Sequence, residues 1–278
     1  MQTKKEYLKK KIFLAPMEEI NDIAFRLLCK KAGAITFTGM IHPLTKQKLF
    51  LDDKPVLQLF STSEKGIKKF IKKYNKKVSA WDFNLGCPAK TAKKHGFGVF
   101  LHSNLNTIEK ILKTMRQNTK KFLFVKLRIS PYFFDIIKIA EKYCDAIIIH
   151  PRTQQQGYSG KPDLGFALKI KSISKIPVIY SGDVNEKNYK NLLKKFDAVM
   201  IGRAAIGNPN IFAKLTNQNL KKKITFKDYL KLAIKYKLPF RQIKFQAMNF
   251  TKKKKNAKKI RLKLFKAKNI NEIKEILQ

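Results

Sequence analysis

Residues 178–203 read VIYSGDVNEKNYKNLLKKFDAVMIGR, and this stretch contains the pattern that decides the fold. A short, mostly apolar run (178–181) is followed by a glycine-containing polar turn and then by a segment with the apolar spacing of a helix. A second apolar run (198–201) follows and again ends in glycine and a charged residue. Short apolar runs of this kind are typical of strands buried on both faces, and a helix between two of them predicts a parallel βαβ unit.

The same unit repeats along the first 220 residues. Apolar runs predict eight strands, at 12–14, 34–38, 56–60, 78–84, 122–127, 146–150, 178–181 and 198–201. Helical spacing predicts seven helices, near 21–32, 63–75, 104–117, 132–142, 165–173, 186–195 and 208–215. Eight strands that alternate with helices over about 200 residues predict a (β/α)8 TIM barrel rather than an open, doubly wound sheet.

Polar residues or glycines stand at the end of nearly every predicted strand. These strand ends are APM (15–17), TGM (38–40), Gln58, NLGCP (84–88), KLR (126–128), HPR (150–152), SGD (181–183) and GR (202–203). The carboxyl ends of barrel strands form the active-site face of this fold. Because the strands are otherwise apolar, the pattern predicts one convergent site.

Charge is the unusual property of the composition. The 278 residues include 61 Lys and Arg against 19 Asp and Glu, a net charge of +42, while apolar residues make up 44%. That apolar fraction is ordinary for a globular chain and excludes a disordered or collagen-like one. Self-repulsion at this charge is costly unless a polyanion is near, so the balance favours a nucleic-acid partner over an AT-rich genome that merely supplies lysine codons. The same repulsion favours a monomer.

The cysteines and the apolar runs bear on the compartment. Cys29, Cys87 and Cys144 show no CxxC spacing and form no disulfide framework, which fits a reducing, intracellular setting. No apolar run approaches the ~20 residues of a membrane span, and the first eleven residues, MQTKKEYLKKK, lack the apolar core of a signal peptide. The sequence therefore predicts a cytoplasmic protein without a membrane segment.

The composition shifts after residue 220. Residues 221–278 hold 20 basic and 3 acidic residues, a net charge of +17, and their apolar spacing is helical. Thr225 followed by Asp228 resembles a capping box at a helix start. We predict a barrel domain over 1–220 and a small all-α domain over 221–278 that carries the lysine run 252–255 on one helix face.

The segment WDFNLGCPAK (81–90) carries the strongest chemical signal. Gly86 allows a sharp turn after the strand and Pro88 stiffens it, so Cys87 is expected to project from a rigid loop at the barrel mouth. A cysteine there can be a nucleophile, a metal ligand or a proton donor. The absence of a second ligand at zinc-finger spacing argues against a metal, and His150 is a possible partner for a nucleophile.

A phosphate site is predicted at the seventh and eighth strands. Ser181, Gly182 and Asp183 follow one strand, and Gly202 and Arg203 follow the next. Barrels commonly bind phosphate between these two loops through backbone N–H groups, and an arginine adds charge-assisted hydrogen bonds.

Six segments together resemble the tRNA-dihydrouridine synthases: APM (15–17), NLGCP (84–88), KLR (126–128), IHPRTQQQGYSG (149–160), YSGDV (180–184) and MIGRAAIGNP (200–209). The resemblance runs in register over about residues 11–213. It implies an FMN-bearing barrel followed by a helical domain that binds tRNA. It also implies reduction of the C5–C6 bond of particular uridines to dihydrouridine, with NADPH (or NADH) as the reductant.

The resemblance implies a role for each matched residue. Flavin contacts are expected from Pro16, Met17, Gln58, Lys126, His150, Ser181, Gly182, Asp183, Gly202 and Arg203. Contacts to the flipped uridine or its phosphates are expected from Asn84, Arg128 and Arg152. Hydride would pass to C6 of the uracil while Cys87, as general acid, protonates C5 from the opposite face.

Two departures from the family pattern and two alternative functions stay open. Gly39 stands where the family often has an acidic residue, and the glycine-rich stretch after the cysteine reads KHGFG (94–98). One alternative is an FMN barrel acting on a small molecule, in the manner of dihydroorotate dehydrogenases. The other is a nucleic-acid-binding protein without catalysis. The basic tail argues against the first, and the presence of Cys87, Lys126 and Arg203 argues against the second.

Overall fold

A computed structural model describes Leu8, residues 11–252 and residues 254–277. Within them one sheet contains eight parallel strands: β1 (Ile12–Leu14), β2 (Phe37–Ile41), β3 (Val56–Leu59), β4 (Ala80–Leu85), β5 (Leu123–Ile129), β6 (Ala146–Thr153), β7 (Val178–Ser181) and β8 (Ala198–Ile201). The order is β1-β8-β7-β6-β5-β4-β3-β2, and a parallel bridge between Phe13 and Ile35 joins the two ends. The predicted TIM barrel is confirmed.

Helices surround the strands and continue beyond them. Those of the barrel are α1 (Ile23–Lys31), α2 (Ile67–Tyr74), α3 (Lys90–His95), α4 (Leu105–Asn118), α5 (Phe133–Tyr143), α6 (Leu164–Ile173), α7 (Tyr189–Lys195) and α8 (Asn210–Thr216). The C-terminal segment adds α9 (Phe226–Lys235), α10 (Phe240–Asn249), α11 (Ala257–Lys266) and α12 (Ile270–Leu277). No helix in the described ranges has the length and apolar character needed to cross a membrane.

Several element bounds differ from the predictions, and α3 has no predicted counterpart. The second strand begins at Phe37 rather than at residue 34, and before it Ile35 forms an isolated bridge to Phe13 of β1. The lysine run also lies elsewhere than predicted, since Lys252, Lys254 and Lys255 occupy the turn between α10 and α11. Lys253 lies outside the described residues.

Aromatic rings fill the end of the barrel interior that lies towards the amino ends of the strands. Phe13, Phe37 and Phe124 are almost completely buried, and each pair of ring centroids is 5.8 Å apart. Successive side chains along a strand alternate between faces, so Lys126 shares the inward face of Phe124 one layer nearer the carboxyl ends. The interior is therefore apolar towards the amino ends of the strands and polar towards their carboxyl ends, so the site lies at the carboxyl-end mouth of the barrel.

The C-terminal helices are joined to the barrel at Asp22, the residue before α1. Its carboxylate caps α1 by accepting the Phe25 amide at 3.0 Å. It also accepts hydrogen bonds from Tyr229 Oη (3.2 Å), Gln242 Nε2 (2.8 Å) and Gln246 Nε2 (2.9 Å). One carboxylate thus links the first barrel helix to both α9 and α10.

Two further details secure this segment. The expected capping box at α9 is confirmed, since the Thr225 amide donates to the Asp228 carboxylate at 2.8 Å. Gly207 has a φ of +69°, and a Cβ at this position would lie 1.9 Å from the Asn249 carbonyl oxygen. Only glycine therefore lets α10 approach the loop after β8 so closely.

A buried ion pair fixes the long connection between β2 and β3. Arg26 of α1 donates to both carboxylate oxygens of Asp53, at 2.9 and 3.0 Å, and the two residues are 5% and 1% exposed. Thr36 Oγ1 donates to the same carboxylate at 2.6 Å. The pair ties this connection to the outside of the barrel.

Replacing Asp53 with alanine should lower the free energy of unfolding by about 3–5 kcal/mol, because it leaves a buried guanidinium without its charged partner. Urea unfolding measures the loss. The matched control is Asp135→Ala, which removes an exposed ion pair to Lys138 and should cost a few tenths of a kcal/mol at most. Equal losses in both variants would contradict this assignment.

Candidate active site at the carboxyl ends of the strands

A cavity of about 750 Å³ opens at the carboxyl ends of the strands. It collects the predicted site residues from almost every part of the barrel. Those that line it are Pro16, Met17, Asn84, Cys87, Lys126, Arg128, His150, Arg152, Ser181, Gly182, Asp183, Gly202 and Arg203. Gln58 is the exception, since it is fully buried and lies outside the lining.

Asn84 shapes the loop that carries the cysteine. It is the fifth residue of β4, and its Oδ1 accepts hydrogen bonds from the amides of Gly86 and Cys87, both at 3.0 Å. Gly98, with φ +65°, packs against the other side of the loop, where a Cβ would lie 2.7 Å from the Cys87 carbonyl oxygen. The last glycine of KHGFG therefore has a steric role that the sequence did not predict.

The Cys87 thiol is half-buried at the cavity wall, whereas Cys29 and Cys144 are 0% and 2% exposed. Burial raises the pKa of Cys87 above its ordinary value, although the positive charges of Arg128 and Lys126 act in the opposite direction. The thiol is therefore protonated at neutral pH. Such a group can donate a proton and is a poor nucleophile until it loses it.

Below Asn84 lies a layer of buried polar groups that includes one residue without a predicted role. Gln58 Oε1 accepts from Asn84 Nδ2 at 2.8 Å, and Gln58 Nε2 donates to Asp82 Oδ2 at 2.5 Å. Burial raises the pKa of Asp82 to about 7, against the hydrogen bond from Gln58 and the charge of Lys126. A charged residue inside an otherwise apolar strand was the available sequence signal.

Lys126 and His150 stand on neighbouring strands and differ in charge. Burial and the nearby Arg128 lower the pKa of Lys126 to about 8, while Asp82 favours its charged form. Burial and the surrounding cations hold the pKa of His150 far below its ordinary value. Arg152 Nη1 lies 3.0 Å from His150 Nε2, and because a guanidinium only donates, Nε2 accepts and the proton is on Nδ1. The imidazole is therefore neutral and keeps one N–H donor, and the residue lines the cavity.

Arg128 and Arg152 are each 1% exposed and fasten the loop after β6. Arg128 donates to the carbonyls of Gly86 (2.9 Å) and Gly157 (2.7 Å). Arg152 donates to the carbonyl of Gly160 at 2.7 Å and to Asp183 Oδ2 at 2.5 Å. These bonds give both arginines a structural role, and their contact with a substrate stays a prediction.

Tyr158 is a cavity residue for which the sequence offered no role. The residue is 62% exposed, and two guanidinium groups lie near its ring, with Arg128 Cζ 5.3 Å and Arg203 Cζ 5.7 Å from the ring centroid. The only signal was its position in the segment 149–160.

Asp183 occupies the predicted phosphate site together with Arg203. Its carboxylate is bonded by both Arg152 and Arg203. Burial alone would raise the pKa of Asp183, but the hydrogen bonds from these arginines outweigh it and lower the value. In the described part of the chain, the amides of Gly202 and Arg203 donate to no protein group. The site therefore offers two N–H groups without a protein acceptor among the described residues, and an arginine paired with a carboxylate.

Glu18 explains the first departure from the family pattern. A Cβ on Gly39 would lie 3.3 Å from Glu18 Oε2, so the carboxylate from the loop after β1 fills the space beside this glycine. Burial and the neighbouring Glu19 raise the pKa of Glu18, which lines the cavity. An acidic group is thus present near this point although residue 39 is glycine.

Comparisons with known proteins show the family of the chain. A family model described as "Dihydrouridine synthase (Dus)" matches residues 13–276. A "Probable tRNA-dihydrouridine synthase" of Helicobacter pylori (strain ATCC 700392 / 26695) is 33% identical, over 77% of this chain and 72% of that protein. A "tRNA-dihydrouridine synthase B" of Pasteurella multocida (strain Pm70) is 29% identical, over 74% of this chain and 68% of that protein.

Solved structures resemble the barrel at low sequence identity. The old yellow enzyme from Trypanosoma cruzi has a TM-score of 0.52 and 8% identity, over 82% of this chain and 94% of that one. An (S)-mandelate dehydrogenase has a TM-score of 0.51 and 13% identity, over 74% and 73%. At such identities the likeness concerns the fold alone.

Alkylation of Cys87 by iodoacetamide should titrate with a midpoint above the ~8.5 of an unperturbed thiol, because burial stabilises the protonated form and only the thiolate reacts. The rate should rise with pH through that midpoint, as measured by mass spectrometry of the native protein. Cys87→Ser supplies the background from the two buried cysteines. A midpoint below ~8.5 would contradict the raised pKa of Cys87.

Proposed function

The chain belongs to the dihydrouridine synthase family, a family of flavin-dependent oxidoreductases, and on that premise we propose that it reduces uridines in tRNA to dihydrouridine with FMN and NADPH. The observation that carries the proposal is the common cavity of a protonated thiol, Cys87, and a group of cations built on the family's barrel. The thiol is the proposed proton donor, and the cations form the proposed binding site for an anionic cofactor.

The residues of the cavity fit FMN chemically. Arg203 and the free amides of Gly202 and Arg203 suit its phosphate, provided that Asp183 releases the guanidinium. Lys126 and the neutral His150 suit the polar side of the ring, where positive charge and a hydrogen-bond donor favour the reduced anion. Pro16 and Met17 border the same cavity and suit an apolar contact with the ring.

When bound, FMN would supply the hydride for C6 of the uracil, and NADPH would return the flavin to its reduced form. Cys87 gives its proton to C5, and the resulting thiolate takes a proton from water. The positive charges of Arg128 and Lys126 stabilise that thiolate. Asn84 keeps the loop of Cys87 in place through two amide hydrogen bonds, so the acid is positioned before the substrate arrives. Asn84, Arg128 and Arg152 also border the space for the flipped base and stay the proposed substrate contacts.

The charge of the chain and the access to the cavity both bear on the substrate class. A base in folded RNA reaches such a cavity only after it is flipped out of its stack, at a cost of a few kcal/mol. The net charge of +42, with +17 in residues 221–278, supplies attraction to the phosphate backbone that can offset this cost. We therefore propose residues 1–220 as the flavin domain and 221–278 as the tRNA-binding domain of a cytoplasmic, monomeric enzyme.

The first test is the visible spectrum of the purified protein. Oxidised flavin bands should be present, or appear on reconstitution with FMN, and should bleach with NADPH without oxygen. Arg203→Ala should weaken FMN binding about tenfold or more, because a charged hydrogen bond to phosphate is lost. Lys138→Ala, on the outside of α5, is the control and should bind FMN normally. A protein that cannot bind FMN would contradict the proposal.

The second test separates the acid from the cofactor. Cys87→Ala should keep its flavin and lose about 10²–10⁴ in the rate of uridine reduction in tRNA, because the proton donor is gone. Cys29→Ala, at a buried helix position, should keep both. Full turnover by Cys87→Ala would remove the acid role. Reduction of a free pyrimidine but not of tRNA by the wild type would support the small-molecule alternative.

A further inference from the structure

A chain of three buried side chains runs beneath the loop that carries Cys87. Asp82, Gln58 and Asn84 are 0%, 0% and 7% exposed. Gln58 Nε2 donates to Asp82 Oδ2 at 2.5 Å, and Asn84 Nδ2 donates to Gln58 Oε1 at 2.8 Å. Asn84 Oδ1 then accepts the amides of Gly86 and Cys87 at 3.0 Å each. We call Asp82, Gln58 and Asn84 the buried relay.

The loop end of the buried relay allows one orientation only. Backbone amides of Gly86 and Cys87 can donate but cannot accept, so the Asn84 oxygen must face them. Asn84 Nδ2 then points at Gln58 and must meet its oxygen rather than its NH2 group. This in turn directs Gln58 Nε2 towards Asp82.

The other end agrees with this orientation. When Asp82 is ionised it can only accept, and it then needs the NH2 group of Gln58, which is the group that the loop end directs towards it. Reversing either amide would set donor against donor or acceptor against acceptor where no water can compensate. The backbone of Gln58 is itself held, because its amide donates to Thr38 Oγ1 at 3.0 Å. Both ends agree, and the polarity of the whole chain is fixed.

We propose that Asp82 and Gln58 are positioning residues for Cys87. They act through Asn84, whose single orientation holds the main chain of the cysteine loop. Gly98 closes the loop from the opposite side, so the loop is restrained by a steric contact and by directed hydrogen bonds. The catalytic meaning of this inference rests on the proposed acid role of Cys87.

A competing explanation is that Asp82 acts through its charge on Lys126. Asp82 Oδ1 is buried and has no hydrogen-bond partner in the described ranges, and Asp82 and Lys126 interact electrostatically. Asp82 is absent from the groups that act on the Cys87 thiol, which are the Ala89 amide, Arg128, Lys126 and Glu18. The two explanations therefore predict different results for the thiol when charge and hydrogen-bonding capacity at residue 82 are changed separately.

The first experiment compares Asp82→Asn with Asp82→Leu by the rate and pH midpoint of Cys87 alkylation in the purified full-length protein. Asparagine keeps an oxygen for Gln58 but loses the charge, so its rate should stay within about twofold of the wild type. Leucine removes the acceptor and should raise the rate about fivefold or more, with a lower midpoint, because the loop loosens and exposes the thiol. Equal shifts in both variants, or no shift in either, would overturn the proposal.

The second experiment keeps the test valid if the leucine variant does not fold. Gln58→Glu turns the donor towards Asp82 into an acceptor, so in alkaline buffer, where both carboxylates are ionised, the two groups oppose each other and thiol reactivity should rise. The double variant Gln58→Glu/Asp82→Asn moves the carboxylate one link along the relay without changing the net charge. The carboxylate introduced at position 58 would then accept from the amide introduced at position 82 and from Asn84, so reactivity should return to within about twofold of the wild type. Failure of this rescue in a folded double variant would overturn the proposal.

The thiol assay needs neither tRNA nor flavin turnover, so the two proposals fail separately. If Cys87→Ala still reduces tRNA, the acid role is lost while the effect of the relay on the thiol stands. If the relay variants leave thiol reactivity unchanged and Cys87→Ala abolishes reduction, the positioning role is lost and the acid role stands.

Discussion

Closure of eight parallel strands into a barrel is the constraint on which the site depends. Parallel strands all end at the same edge of a sheet, and closing the sheet brings residues from β1 and β8 to the same cavity as residues from β4 and β5. The bridge from Phe13 to Ile35 completes this closure. The packed rings of Phe13, Phe37 and Phe124 then fill the opposite end of the interior, so polar groups have one mouth to occupy.

The cavity concentrates positive charge, and its own residues lower the cost of doing so. Asp183 joins two of the arginines, and His150 stays neutral because burial, and then the positive charges of Lys126 and the arginines, disfavour its charged form. The negative charge of Asp82 favours the charged form of Lys126 and so raises its pKa. These arrangements keep the cations in place while leaving Arg203 half exposed.

The cysteine loop combines rigidity with a partly accessible thiol. Its amides are held by Asn84, its far side is packed against Gly98, and its turn is held by Arg128 through the carbonyl of Gly86. Such restraint fits the acid role proposed for Cys87, since positioning before binding lowers the entropy lost in the reaction.

The sequence by itself determined the barrel, the strand ends and Cys87, because strand burial and helix spacing leave period-specific patterns of apolar residues. It predicted thirteen residues that line one cavity, but it did not predict that Gln58 lies beneath that cavity. Only the tertiary structure decided the roles of Asp82, Gly98 and Glu18. The physical reason is that hydrogen-bond direction and close packing depend on neighbours from other strands and loops: Gln58 meets Asp82 across 24 positions and Asn84 across 26, and no local pattern in the sequence records such a meeting.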